Sequence, residues 1–169
     1  MSAFAMRQAT AADADALHAL ISGHVGEGHL LPRDREEIAG HAERFVVCEA
    51  DGEMTACAEL APLSRRVAEV RSLVVSGRFR RVGVAARLVA DITRRARAGG
   101  FDTLCAFTHD ARFFVRQNFS IVPHLWLPEK IATDCVGCPL FRRCGQFAMI
   151  LPLEAVARYE APVVTRRVA

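Results

Sequence analysis

The sequence predicts an α+β fold (mixed α/β), in which a twisted, mostly antiparallel sheet of six to seven strands is flanked by about four helices. Three observations lead to this fold class. Two apolar runs of strand length are separated by Asp51-Gly52, a pair typical of a tight hairpin. A loop rich in glycine and alanine at residues 78–87 leads from a strand into a helix. Strands and helices do not alternate strictly, which excludes a doubly wound parallel sheet.

The first half of the chain contains four predicted strands and two predicted helices. Apolar periodicity and turn residues place them as follows: a strand at 4–9, helices at 10–24 and 34–42, and strands at 45–49, 54–60 and 68–75. The Asp51-Gly52 hairpin makes the strand at 54–60 antiparallel to the strand at 45–49, and the turn at residues 64–66 makes the strand at 68–75 antiparallel to its predecessor. A sheet with long-range antiparallel pairing therefore begins in this half.

The second half adds a long helix and the closing strands. The predicted elements are a helix at 88–98, a strand at 103–108, a short helix at 111–117, a strand at 119–122, one or two helical turns at 128–133, and a last strand at 147–151. Gly99-Gly100 is a typical helix end. We expect one domain over residues 1–153, followed by a C-terminal tail at 154–169.

Composition excludes several classes of protein. No apolar run reaches the roughly 18 residues that a membrane-spanning helix needs, and the N-terminus has no signal-peptide pattern, so we expect a cytoplasmic protein without a membrane partner. The net charge is only +3, and one tryptophan and one tyrosine leave little for base stacking. Nucleic acid is therefore not an expected partner.

The loop at residues 78–87 has the character of an anion site. Four of its ten residues are arginines, and it opens the predicted helix that follows. Backbone N–H groups at the start of a helix, with the positive end of the helix dipole, bind phosphate groups. The simplest prediction is a site for the pyrophosphate of a nucleotide-like cofactor, although a general preference for arginine over lysine also raises the arginine count.

In this context the loop resembles the GNAT superfamily of N-acetyltransferases, whose members carry Arg/Gln-x-x-Gly-x-Gly/Ala between a strand and a helix. The resemblance implies acetyl-CoA as cosubstrate. It also implies that the loop N–H groups hold the pyrophosphate while the edge of the preceding strand pairs with the pantetheine arm. The residues implicated are Leu73, Val74, Val75, Arg80, Arg81, Val82, Gly83, Val84, Ala85 and Ala86.

A narrower resemblance is to the short, stand-alone amino-acid N-acetyltransferases (N-acetylglutamate synthases) of arginine biosynthesis. It covers residues 6–153 and rests mainly on Leu-Leu-Pro-Arg at 30–33 and Glu-Val-Arg-Ser-Leu at 69–73. The resemblance implies that L-glutamate is the acceptor. Its two carboxylates would be held by Arg33 and Arg71, with Leu31 lining the substrate site and Arg143 approaching from a closing segment.

Physical chemistry supports the binding of a dicarboxylate by two arginines but leaves an alternative role or residue for each. A dicarboxylate needs two cationic partners, and Arg71 is costly in an apolar strand unless it is paired or reaches a cleft. The alternative is that Arg71 pairs with Glu69 or Glu59 and joins neighbouring strands. Arg33 lies in a predicted loop, and Arg35 is close enough in sequence to take its place.

Acetyl transfer to an amine requires a base but no nucleophilic side chain. Glu69, acting through a water, is the first candidate, and Glu59 is the second. The tyrosine that serves as general acid in many family members is replaced here by Phe113-Phe114, which leaves water, Thr108 or His109 for that role. Another amine acceptor, or a non-catalytic acyl-CoA or metal-sensing module, stays open, as does a homodimer.

Three cysteines near the C-terminus form the remaining motif. Cys135, Cys138 and Cys144 have the spacing of half a zinc knuckle, so zinc with a fourth ligand such as Asp134 or His124 is one interpretation. A redox disulfide and thiols that only pack a tight loop are the others. The cysteines inside apolar strands, Cys48, Cys57 and Cys105, are expected to be buried.

Overall fold

A computed structural model describes residues 4–27 and 30–153 and contains one seven-stranded sheet. The strands are β1 (Ala5–Gln8), β2 (Phe45–Ala50), β3 (Glu53–Pro62), β4 (Val67–Val75), β5 (Thr103–Thr108), β6 (Ser120–Val122) and β7 (Phe147–Pro152). Their order is β1-β2-β3-β4-β5-β7-β6, and only the β4–β5 pair is parallel. The predicted fold class is confirmed. The predicted tail at 154–169 lies outside the described residues.

Helices cover both faces of the sheet. They are α1 (Ala14–Val25), α2 (Arg35–Gly40), α3 (Val84–Ala98), α4 (Ala111–Val115) and α5 (Pro128–Lys130), the last of which continues into a π-helical turn at Ile131–Cys135. The Asp34 carboxylate caps α2 by accepting the N–H groups of Glu36 and Glu37. None of the helices within 4–27 and 30–153 is long and apolar enough to cross a membrane.

The core has one cluster on the α3 side of the sheet and two on the opposite side. Leu88 and Ile92 of α3 pack on the first face with Val70 of β4. On the second face, one cluster lies under α1 and α2. In the other, Leu127 packs on side chains of β5 and β7, including Cys105 and Ala148. Polar residues of β3 and β4 occupy the strip between these two clusters, and the cleft opens there.

A β-bulge in β4 determines which side chains reach that strip. Ser72 has a φ of 50°, and the pairing changes from Cys57 opposite Val74 to Glu59 opposite Arg71. One extra residue in β4 reverses the alternation of faces beyond it. Val70 therefore packs on the α3 side, whereas Val74 packs on the side of α1 and α2.

The two parallel strands at the centre of the sheet separate after a short paired stretch. Their pairing runs from Val67–Thr103 to Glu69–Cys105, while both strands continue for several residues beyond it. The second half of β4 thus has a partner on the β3 side only. Its other edge, at residues 70–75, faces the gap that forms the cleft.

Candidate functional site

A cleft of about 870 Å³ opens where β4 and β5 separate. Four stretches of chain supply most of its wall: residues 30–33 before α2, 69–75 of β4, 107–110 at the end of β5, and 137–140 after the π-helical turn. Arg80 of the loop, Phe113 of α4, and Lys130 and Asp134 of the α5 region are among the other residues that line it. Segments far apart in sequence meet here because β4 and β5 are central in the sheet.

At one end of the cleft, Val75 and Arg80 line the wall where β4 leads into the loop before α3, and Arg80 orders this loop. Its Nε donates to the Val75 carbonyl oxygen at 3.0 Å, and its Nη2 donates to both carboxylate oxygens of Glu27 at 2.9 and 2.7 Å. The Arg80 side chain therefore joins the end of β4 to the end of α1 and holds the loop in place.

The loop backbone presents N–H groups at the start of α3. Arg81 and Gly83 have φ values of 67° and 86°, so two left-handed residues turn the chain sharply before the helix. The N–H of Arg87 donates to the carbonyl of Gly83 at 3.1 Å as the first helical bond. Helix geometry leaves the N–H groups of the first turn, Val84 to Ala86, without acceptors in the helix, which makes this end suited to an anion.

Four charged side chains form a network at the other end of the cleft. Glu69 accepts from Arg71 Nη2 at 2.6 Å and from Lys130 Nζ at 2.8 and 2.9 Å. Asp134 accepts from Arg71 Nη2 at 2.5 Å and from Lys130 Nζ at 2.8 Å. Lys130 also lies over the Phe107 ring, 5.1 Å from its centroid. Each cation thus contacts both carboxylates. Arg71 makes these contacts through Nε and Nη2, and its Nη1 has no acceptor among the described residues, which leaves donors for a further anion.

A second charged group surrounds Arg33. Its Nη1 donates to Glu59 at 2.8 Å and to the Ser72 hydroxyl at 2.9 Å, and its Nη2 donates to Glu37 at 2.8 Å. Glu59 is 1% exposed, so its charge depends on Arg33 for compensation. The Ser72 contact exists because the bulge places this hydroxyl beside Arg33.

Opposing effects set the ionisation of these groups. Burial by itself would lower the pKa of Arg71, but the charge and hydrogen bonds of Glu69 outweigh it and raise the pKa. Burial would likewise lower the pKa of Arg33, which the carboxylates of Glu59 and Glu37 raise. Partial burial would raise the pKa of Asp134, whereas Lys130 and Arg71 bring it below its ordinary value. These surroundings therefore favour the charged forms of Arg33, Arg71 and Asp134.

The low pKa of Asp134 predicts an acid-dependent loss of stability. Because its pKa is lower in the folded state than in the unfolded chain, its contribution is complete above about pH 4 and is lost as the pH falls through the folded value. Urea unfolding between pH 6 and pH 3 should show a smaller loss of unfolding free energy for Asp134→Asn than for the original protein. Identical pH dependence in the two proteins would contradict the assignment.

The structure brings part of the predicted site to one cleft, and residues 81–86 of the loop are not among the residues that line it. Leu31, Arg33, Glu69 and Arg71 line it together with residues 73–75 and Arg80. Arg35 does not replace Arg33, since it is exposed and donates to Asp15 at 2.5 Å. Glu59 lies behind Arg33.

One predicted substrate residue lies outside the cleft, and two residues that line the cleft were not predicted. Arg143 is exposed in the turn Phe141–Arg143, outside the residues that line the cleft. Lys130 and Asp134 were not predicted as substrate-site residues. Lys130 could have been singled out from the sequence, since it is the single lysine in a chain whose other cations are arginines.

The cysteines fall into a buried set and a loop set. Burial raises the pKa of the Cys57 thiol to about 12 and also raises that of Cys105, so these thiols are packing groups. Within residues 4–27 and 30–153, no group of three or more His, Cys, Asp or Glu side chains is arranged to hold a metal ion. The zinc interpretation of Cys135, Cys138 and Cys144 therefore gains no support, and all three thiols are free.

Comparison with known proteins agrees with this geometry. Residues 14–119 match the model of the Acetyltransferase (GNAT) family. An uncharacterized N-acetyltransferase from Chlorobaculum tepidum is 32% identical over 148 residues, which cover 88% of this chain and 96% of that protein. An amino-acid acetyltransferase from Ectopseudomonas mendocina is 35% identical over 116 residues, which cover 68% of this chain but 27% of that protein.

Solved structures have the same fold. The N-acetylglutamate synthase from Neisseria gonorrhoeae, complexed with coenzyme A and N-acetyl-glutamate, superposes with a TM-score of 0.80 at 27% identity, covering 92% of this chain and 36% of that one. A Mycobacterium tuberculosis protein in complex with CoA gives a TM-score of 0.76 over 89% of this chain and 99% of that one, at 19% identity. This chain spans only 27% of the length of the amino-acid acetyltransferase and 36% of the length of the Neisseria synthase.

Proposed function

The chain belongs to the acetyltransferase (GNAT) family, and from this premise we propose that it transfers the acetyl group of acetyl-CoA to the α-amine of L-glutamate. The similarity to amino-acid acetyltransferases and to a synthase bound to coenzyme A and N-acetyl-glutamate supports the proposal. A role in arginine biosynthesis follows from the same similarity.

The observation that carries the proposal is the placement of two arginines in one cleft. Arg33 comes from the segment before α2 and Arg71 from β4, and Glu59 connects them because it bonds to Arg33 and is paired across the strands with Arg71. Arginine binds carboxylates through its planar fork. Glu37, whose side chain is 45% exposed, occupies part of the Arg33 fork, whereas Asp134 and Glu69 hold Arg71 through its Nε and Nη2 atoms. We infer that one carboxylate of glutamate displaces Glu37 and that the other binds Arg71 at Nη1.

Acetyl-CoA would enter from the opposite end. The N–H groups of the loop and of the first turn of α3 hold the pyrophosphate, and the edge of β4 at residues 73–75 runs beside the pantetheine arm. This arrangement directs the thioester toward Glu69 and Arg71. Arg81, which is exposed beside the loop, adds a cation near the phosphates.

The reaction needs only a direct attack within the ternary complex. The acceptor amine loses a proton, through a water, to Glu69, and its nitrogen attacks the thioester carbonyl to give a tetrahedral intermediate. Collapse of the intermediate breaks the carbon–sulfur bond and releases the thiolate of CoA. Lys130 and Arg71 hold the Glu69 carboxylate in position.

The net charge of the two charged groups in the cleft favours a second candidate for the acceptor. Three cations (Arg33, Arg71 and Lys130) face four carboxylates (Glu37, Glu59, Glu69 and Asp134), which leaves one negative charge in the two groups. A net negative cleft attracts an acceptor with an additional ammonium group, such as a diamino acid or a polyamine.

A panel of acceptors distinguishes the two candidates. Release of free CoA thiol is measured with saturating acetyl-CoA and with L-glutamate, L-glutamine, L-aspartate, L-lysine or a polyamine at equal concentrations. Glutamate should give a kcat/KM at least about tenfold above glutamine, because the amide cannot form the second charged pair. A higher kcat/KM with lysine or the polyamine would contradict the glutamate assignment and support the second candidate.

Gly83 tests the pyrophosphate loop. A Cβ at its φ of 86° costs about 1–2 kcal/mol, so Gly83→Ala should distort the loop and raise the KM for acetyl-CoA about fivefold to tenfold. Gly100→Ala is the matched control, since Gly100 has a φ of 76° just after the C-terminal end of α3, at the opposite end of that helix from the loop. Steady-state kinetics with varied acetyl-CoA check the difference. Equal KM values for the two variants would contradict the role of the loop.

A further inference from the structure

The Cys-x-x-Cys motif forms a closed turn in the structure. The N–H of Cys138 donates to the carbonyl of Cys135 at 3.0 Å, directly after the π-helical turn that ends at Cys135. A turn closed in this way brings its first and fourth Cα atoms to within about 7 Å, and disulfides usually span about 4.4–6.8 Å between Cα atoms. Val136, between them, is 71% exposed, and a Cβ on Gly137 would contact nothing within 4 Å, so the turn has room to adjust.

The two thiols differ in their surroundings. Cys138 lines the cleft, and its sulfur accepts the N–H of Leu140 at 3.4 Å. The cleft gives a small disulfide access to the Cys138 sulfur, and thiol–disulfide exchange requires such access to the attacking sulfur. Burial raises the pKa of the Cys135 thiol, so Cys135 is the weaker nucleophile of the pair. These surroundings make Cys138 the thiol that attacks an external disulfide and Cys135 the thiol that resolves the mixed disulfide.

The turn is directly linked to the charged network of the cleft. Asp134 precedes Cys135 in the same π-helical turn, whose end is held by the bond from the N–H of Val136 to the carbonyl of Ile131 at 3.1 Å. The Asp134 carboxylate bonds to Arg71 and Lys130. Movement of Cys135 toward Cys138 therefore also shifts Asp134, its neighbour in the turn.

We propose that Cys135 and Cys138 are a thiol modification site that forms a reversible disulfide by exchange with a low-molecular-weight disulfide, and that this disulfide loosens the contacts of Asp134 with Arg71 and Lys130. The oxidised protein binds the amine acceptor more weakly because Arg71 loses one of the carboxylates that position it. The CoA loop, at the other end of the cleft, is unaffected.

The exchange is balanced without any additional reactant. The Cys138 thiolate attacks one sulfur of the external disulfide, forms a mixed disulfide and displaces one thiolate. Cys135 then loses its proton and attacks the Cys138 sulfur, which forms the Cys135–Cys138 bond and displaces the second thiolate. Two electrons pass from the protein cysteines to the external disulfide, and the two thiol protons end on the two released thiols.

The first experiment identifies the bond. The full chain is equilibrated with oxidised and reduced glutathione, alkylated, digested and analysed by mass spectrometry. The original protein and Cys144→Ser should both form the Cys135–Cys138 disulfide, reversibly with dithiothreitol, whereas Cys135→Ser and Cys138→Ser should not. A stable glutathione adduct on Cys138 of the original protein, or a bond that requires Cys144, would overturn the proposal.

The second experiment measures the effect on Asp134 without relying on turnover. Lys130 is the single lysine, so its ε-amine can be followed alone by mass spectrometry during reaction with an N-hydroxysuccinimide acetate ester. Release from one of its two carboxylate partners should make it react about fivefold faster in the oxidised protein. The N-terminal amine is the internal reference, and oxidised Cys138→Ser is the control that should show no change. An unchanged Lys130 rate in fully oxidised protein would overturn the link to the cleft.

The kinetic consequence is tested with whichever amine gives the highest turnover, so the result does not depend on glutamate being the acceptor. Oxidation should raise the KM for that amine about threefold to tenfold and leave the KM for acetyl-CoA within about twofold. Restoration by dithiothreitol is expected. Equal changes in both KM values would show general damage and overturn the proposal.

Discussion

Replacing Arg71 with alanine is expected to raise the KM for the amine acceptor about 10- to 100-fold, while the KM for acetyl-CoA changes less than about threefold. The fork of Arg71 faces the acceptor end of the cleft, and a charged hydrogen-bond pair with a carboxylate substrate contributes about 1.5–3 kcal/mol. The loop that would hold the pyrophosphate lies at the other end and does not contact this side chain. Initial rates with each substrate varied in turn provide the measurement.

Two further variants separate the role of the arginine in binding from its role in the sheet. Arg71→Lys keeps the charge but loses the planar fork, so it should recover only part of the affinity for the acceptor. Arg97→Ala removes an exposed arginine of α3 and should leave both KM values unchanged. If Arg71→Ala raised both KM values equally, the residue would serve only to pair with Glu69 and Asp134.

Replacing Glu59 with alanine is expected to lower the unfolding free energy by about 3 kcal/mol, which corresponds to a fall in Tm of about 6–12 °C. Glu59 is 1% exposed, and its carboxylate accepts from Arg33, whose side chain is 10% exposed. Removal leaves a largely buried guanidinium without its most buried counter-ion. Glu37 and Ser72 still accept from Arg33, which keeps the loss at the lower end of the usual range.

Thermal and urea unfolding check this loss against a control on the same strand. Glu53 of β3 pairs with Arg78 at 3.0 Å, but both side chains are mostly exposed, so Glu53→Ala should cost less than about 1 kcal/mol. The double variant Glu59→Leu with Arg33→Met should recover much of the lost stability, because no charge is then left unpaired. Equal losses for the Glu53 and Glu59 variants would show that burial does not determine the strength of the Arg33–Glu59 pair.

The sheet and the loop could be predicted because their signals are local. Asp51-Gly52 forms the turn between β2 and β3, and the alternation of side chains along β4 put Glu69 and Arg71 on one face. The loop combines a strand, a glycine with positive φ at position 83 and a helix within a few residues. Each of these features depends on neighbours in sequence, so no knowledge of long-range packing was needed.

The bulge at Ser72 could not be predicted in the same way. Serine has no preference for a φ of 50°, and nothing in the pattern of β4 indicates an added residue. The bulge follows from the register with β3, and it places the Ser72 hydroxyl beside Arg33. The choice of Arg33 over Arg35 likewise depends on Glu59, a residue 26 positions away.

The sequence alone therefore determined the fold class and a local loop suited to a phosphate group, since period, turn residues and helix starts act over short distances. Only the tertiary structure decided which charges meet. Lys130 and Asp134 lie about 60 residues beyond Glu69 and Arg71, and they join that pair because β4 and β5 separate and the α5 region covers the gap. Burying a charge requires a partner, and that partner can come from any part of the chain that packing brings near.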